Sequence, residues 1–82
     1  TLDARLAFWR QRLKAGAQRM LDTIARYHES GISREGLAGE LQMAMSGGTF
    51  MTYLRQLLRN RLADEKDEVL RLHEQLVSGN VA

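Results

Sequence analysis

Apolar residues recur along most of this chain at the three- and four-residue steps that place side chains on one face of a helix. Leu2, Leu6, Trp9 and Leu13 share a face, so an N-terminal helix is expected across residues 1–15, running to about Leu13. Gly16 should weaken helix continuity. A second helix then starts near Ala17, with Ala17, Met20, Leu21, Ile24 and Tyr27 or His28 on its inner stripe, and stops at Ser30 and Gly31, where glycine suits a left-handed terminal residue. Ser33 reads as the N-cap of a third helix to Leu41 or Gln42, with Leu37, Ala38 and Leu41 inward and Ile32 and Leu37 placed for a hydrophobic staple. After a turn over Gln42 to Met45 the arrangement repeats. Ser46 is predicted to cap a fourth helix from Gly47 to about Asn60, with Met45 and Phe50 as its staple. Phe50, Tyr53, Leu54, Leu57 and Leu58 form its buried stripe, leaving Thr49, Met51, Thr52, Arg55, Gln56 and Arg59 on the outer face.

From Arg61 to Val77 the pattern admits two readings. Residues 62–65 and 69–72 make a hairpin turning at Lys66 and Asp67, with Leu70 and Leu72 on one face. Alternatively Val69, Leu72, His73, Leu76 and Val77 form the stripe of a further helix, which would make the chain all-α, with a fourth or fifth helix in place of the hairpin. Either way the class is mainly α.

The 82 residues allow one core, so residues 1–82 are expected to form a single domain. An apolar fraction of 44% and a charged fraction of 27% match a soluble globule. Without cysteine the core is held by packing, since neither disulfides nor thiolate zinc ligands are available. No run approaches the roughly eighteen apolar residues of a membrane span, and no apolar signal segment opens the chain. A cytoplasmic location without membrane contact is therefore expected. Thr1 at the first position fits a domain of a longer chain, a processed product or a chain ordered only in part.

Net charge is only +2, but its distribution is uneven. Between Leu41 and Leu62 lie Arg55, Arg59 and Arg61 with no acid, and before Met20 lie Arg5, Arg10, Arg12, Lys14 and Arg19 against Asp3 alone. Such local fields attract a polyanion even when the whole chain is near neutral. By contrast, Asp64, Glu65, Asp67 and Glu68 surround Lys66.

Two capped helices joined by a short turn, the second with a polar outer face, are the sequence form of a helix-turn-helix, in which the first helix braces the second for the major groove. Small residues at the closest approach would be Ala38, Gly39, Ala44, Gly47 and Gly48. Ser46, Gly47 and Gly48 open the second helix, where free backbone amides and the helix dipole favour phosphate. Thr49 and Thr52 can donate to phosphates or touch a thymine methyl, Arg55 can pair with guanine and Gln56 with adenine, and Arg59 and Arg61 suit backbone neutralisation. Duplex DNA is the expected partner.

Enzymatic chemistry finds little footing. His28 and His73 stand in no nucleophile or metal-ligand spacing, the acidic run is an exposed charge cluster, and "SGGT" lacks the lysine of a P-loop. No enzyme activity, cofactor or metal is expected. The rival reading is a protein-interaction module, in which Leu2, Phe8, Trp9 and Leu13 make the N-terminal helix a homodimer contact. A dimer is also compatible with DNA binding.

The run from Ile32 to Leu72, "ISREGLAGELQMAMSGGTFMTYLRQLLRNRLADEKDEVLRL", resembles prokaryotic winged helix-turn-helix domains, in which a serine-led helix is followed by Ser-Gly-Gly-Thr-Phe leading into the recognition helix. The preceding "FWRQRLKAGAQRML" is similar to the lead-in of winged-helix domains at the C-terminal ends of bacterial P-loop ATPases. The likeness spans roughly Phe8 to Leu76 and is most specific from Ser46 to Leu57. It implies a winged helix-turn-helix core over residues 17–77, a DNA-binding or transcription-regulating role, a recognition helix from Gly47 to Asn60, and a two-stranded wing at Leu62 to Leu72 with its tip near Lys66 beside the minor groove. Asn60 would take the left-handed conformation needed before the first wing strand.

Overall fold

The computed structural model describes residues 2–78, which form α1 (Leu2–Arg10), α2 (Ala15–Arg26), α3 (Arg34–Leu41), α4 (Gly48–Arg59), β1 (Ala63–Lys66), β2 (Val69–Leu72) and α5 (Glu74–Ser78). Residue 1 and residues 79–82, which the expected domain limits include, lie outside the described residues. The chain is mainly helical, with a two-stranded antiparallel sheet.

The core forms where the stripes of α2 and α4 meet. Met20, Leu21 and Ile24 of α2 and Phe50, Leu54 and Leu57 of α4 are fully buried, joined by Leu37 of α3 and by Leu62 and Leu70 around the sheet. Each such side chain is worth about 1.5–3 kcal/mol relative to exposure. Tyr53 and Leu58, expected inside, are half-buried, and so is Met51, expected outside. Of the small residues expected between α3 and α4, Gly39 and Gly48 are not closely packed. A Cβ on Gly39 or Gly48 would meet nothing within 4 Å, whereas one on Gly16 would overlap the Tyr53 ring. Gly16 thus lies inside α2, which starts at Ala15, and lets α2 seat its first turn against α4.

Two further helix limits differ from expectation. α1 ends at Arg10, not Leu13, because the chain turns there, with the Arg12 amide donating to the Trp9 carbonyl at 2.9 Å. No residue of α1 is fully buried; Leu2, Leu6, Trp9 and Leu13 pack partly buried on the core's edge. α2 ends at Arg26, not Ser30, and a turn follows before Gly31, whose φ of 78° is the expected left-handed exit.

Local chemistry explains the ends of α3. Ser33 is extended and its Oγ accepts from the Gly36 amide at 3.0 Å, while Ile32 and Leu37 are buried as the staple requires. At the other end Gln42 is left-handed, with Met43 N–H donating to the Ala38 carbonyl at 2.9 Å and Gln42 N–H to the Gly39 carbonyl at 3.2 Å. That bond pair is a Schellman motif. The end of α4 repeats it, through Leu62 N–H to Leu57 O at 2.9 Å and Arg61 N–H to Leu58 O at 3.2 Å. Here the left-handed residue is Arg61, at φ 57°, and Asn60 keeps φ −86°, so the expectation for Asn60 is corrected.

The ambiguous C-terminal stretch contains both a hairpin and a short helix. Ala63 pairs with Leu72 and Lys66 with Val69, and the turn falls on Asp67 and Glu68, one residue later than expected. Both have positive φ, 55° and 64°, the conformation of a type I′ hairpin turn whose twist suits the strands. Ile32 extends the pairing beyond β2 by exchanging bonds with Leu70 at 3.0 and 2.7 Å. α5 then packs against α1, where Arg5 donates from Nε to Leu76 O at 2.5 Å and from Nη2 to Val77 O at 2.6 Å, satisfying carbonyls that a helix end leaves unpaired.

Candidate nucleic-acid interface

With Phe50, Leu54 and Leu57 turned into the core, helical periodicity carries Thr49, Thr52, Arg55 and Arg59 to the opposite side of α4, and all four are exposed. Gln56 is half-buried at the stripe's border. Five of the expected site residues therefore share one surface that contains no acidic side chain. Arg55 and Arg59 take no part in the ion pairs seen among the described residues, which are Arg10–Asp22 at 3.3 Å and Arg34–Glu65 at 2.7 Å.

The start of α4 departs from the expected capping. Gly47, not Ser46, is the N-cap, and no side chain bonds to the helix end. Ser46 lies exposed in the preceding turn, where the Gly47 amide donates to the Ala44 carbonyl at 2.9 Å. That bond occupies one of the two glycine amides expected to be free. Shifting the cap by one residue also dissolves the staple: Phe50 is buried, but Met45 is 45% exposed. Gly48 opens onto free space, so the approach to the first-turn amides is unobstructed on that side.

Beside α4, the hairpin is tied to α3 by an ion pair that no local sequence pattern marks. Arg34, first residue of α3, donates from Nε and Nη2 to the two carboxylate oxygens of Glu65, both at 2.7 Å, while its Nη1 lies 3.8 Å from Met51 Sδ. Strand alternation explains this: Glu65 shares a face with Ala63, opposite Leu70, and so points toward the core's edge. The bonds from Arg34 hold the Glu65 carboxyl below its ordinary range and raise the Arg34 guanidinium further. Asp64, Asp67 and Glu68 remain exposed, with Lys66 among them.

Elsewhere the polar groups serve the frame. The Tyr27 hydroxyl donates to Glu40, linking the C-cap of α2 to α3, and that bond raises the tyrosine pKa. His73 Nδ1 accepts from the Gln75 amide at 3.0 Å at the start of α5, and His28 lies in the turn after α2. Among the described residues no cluster of acids and histidines is arranged to hold a metal, and no helix is long and apolar enough to cross a membrane. No protein-family model matches the chain, and no curated protein or solved structure is found similar to it.

Proposed function

We propose that α3 and α4 act as a helix-turn-helix, with β1 and β2 as its wing, and that the protein binds duplex DNA without catalysis. The observation carrying this reading is the acid-free outer stripe of α4, exposed at Thr49, Thr52, Arg55 and Arg59 and bordered by Gln56. Its polarity and positive charge suit the major groove, where Arg55 and Gln56 would meet base edges and the threonines and Arg59 the phosphates. Support for the winged form comes from the element order: α2, the bridging Ile32, α3, α4, then a hairpin whose second strand pairs with Ile32. The acidic hairpin tip would sit poorly against phosphate, so the wing contributes support to α4 in place of a strong backbone contact. Such a domain would serve a larger prokaryotic cytoplasmic protein or a transcription regulator, through sequence-specific or general binding.

Fluorescence anisotropy with labelled duplexes at low and moderate salt tests the proposal: micromolar binding, weakened by Arg55→Ala and by Arg59→Ala, is the expected result. Flat titrations at low salt would exclude it. A second reading, self-association through α1, draws on Phe8, which is 50% exposed and stacks edge-on to Trp9 with ring centroids 5.7 Å apart. Size-exclusion chromatography with light scattering checks it, a concentration-independent monomer being the negative result.

A further inference from the structure

A groove runs where the α1–α2 corner meets the C-terminal half of α4. The corner contributes Trp9, Arg12 and Lys14, and α4 with its cap contributes Gln56, Arg59 and Asn60. Three cations thus line one groove without a single acid, and none of them joins the ion pairs seen among the described residues.

The corner is held in shape. Seating Gly16 against Tyr53 brings Lys14, two residues upstream, up to α4. Gln18 Nε2 donates to the Leu13 carbonyl at 2.7 Å, and the Arg12 guanidinium lies over the Phe8 ring at 3.9 Å from its centroid. Arginine stacked on an aromatic ring keeps its charge, and its motion is restricted before any ligand arrives.

Position decides what the groove can meet. Gln56 and Arg59 belong both to the groove and to the outer stripe of α4, so the two surfaces are continuous. Met51, on the hairpin side beside Arg34, and Asn60 in the groove are nine residues apart, or about two and a half turns, which puts them on opposite flanks of the helix. The stripe therefore runs between an acidic flank at the hairpin and a basic flank at the α1–α2 corner.

We infer that the corner groove is a second phosphate-binding site for the same duplex, gripping the sugar–phosphate backbone beside the segment that α4 reads. Arg12, Lys14 and Arg59 neutralise phosphates, and the Gln56 and Asn60 amides add hydrogen bonds. This rests on the DNA reading above and adds to it that the second backbone anchor lies at the corner and not at the hairpin tip.

The test uses the full chain and two unrelated labelled duplexes of about 20 base pairs, with the dissociation constant followed against salt. Each phosphate neutralised contributes about 0.9 to the logarithmic salt slope, so Arg12→Ala with Lys14→Ala should lower the slope by about 1.8 and weaken both duplexes by the same factor. The charge-keeping pair Arg12→Lys with Lys14→Arg should retain the parent slope. Should the double alanine variant lose helical circular dichroism, Lys14→Ala alone, at an exposed residue with no capping bond, should give half the change, about 0.9. An unchanged slope in a folded variant, while Arg55→Ala still weakens binding, overturns the groove and leaves the α4 reading standing. Absence of duplex binding by the parent chain overturns both.

Discussion

Glu65→Gln removes the charge that ties the hairpin to α3 while leaving the side chain's size unchanged. Two 2.7 Å bonds from one guanidinium are at stake, between side chains that are 37% and 25% exposed. A solvent-exposed ion pair is worth about 0.2–1 kcal/mol and a hydrogen bond to a charged group about 1.5–3 kcal/mol. At this exposure about 1 kcal/mol is expected, which for a chain of this size moves the melting temperature by roughly 4–8 °C. The pH dependence follows from the lowered Glu65 carboxyl. Its contribution is complete above the unfolded carboxyl value of about 4.3 and is lost as pH falls through the lower folded value. Thermal melts by circular dichroism should show the parent several degrees above Glu65→Gln at pH 7 and a gap that narrows as pH falls below the unfolded carboxyl value. Equal melts at pH 7, or a gap that does not narrow with acid, would refute the argument.

The capping geometry separates two serines of similar sequence context: Ser33→Ala should cost about 1 kcal/mol in urea denaturation, and Ser46→Ala close to nothing, because only Ser33 bonds a helix amide. Reversed costs would restore Ser46 as the cap. Arg61→Gly relieves a left-handed side-chain residue, a strain of about 1–2 kcal/mol partly offset by glycine's greater freedom in the unfolded chain, so a net gain of about 0.5–1 kcal/mol is expected. Asn60→Gly, at ordinary φ, should bring no gain, and a gain there instead would misplace the Schellman residue.

Much of this architecture was legible in periodicity. The inner residues of α2, α3 and α4 follow steps of three and four, and Ser33 announces its cap by residue type. Ser46 shows where that signal fails: serine followed by two glycines reads as a cap, yet the turn closed by Gly47 and Ala44 moves the helix start one residue on. By residue type Gly16 reads as a breaker, because its role depends on Tyr53, thirty-seven positions away in sequence, lying against α2. The stretch from Val69 to Val77 admits a hairpin strand over 69–72 or a helix stripe through Val77 because a strand with Leu70 and Leu72 inward is followed at once by a helix burying Leu76. Glu65 belongs to an acidic run that reads as exposed; strand alternation from Ala63 is the signal that it faces the core's edge, and no local pattern marks Arg34 as its partner. Of the expected site, Thr49, Thr52, Arg55, Gln56 and Arg59 do share a surface. The groove at Arg12 and Lys14 was visible only as a basic cluster without a place.

If α4 is the helix that meets DNA, its outer stripe must change environment when duplex is added. Amide shift mapping by nuclear magnetic resonance, with the labelled chain titrated by a short duplex, tests it most directly. The largest changes should run from Gly48 through Arg59 and extend to Lys14, with the hairpin turn at Asp67 and Glu68 little affected. Changes confined to α1 around Phe8 and Trp9, or none at saturating duplex, would contradict it.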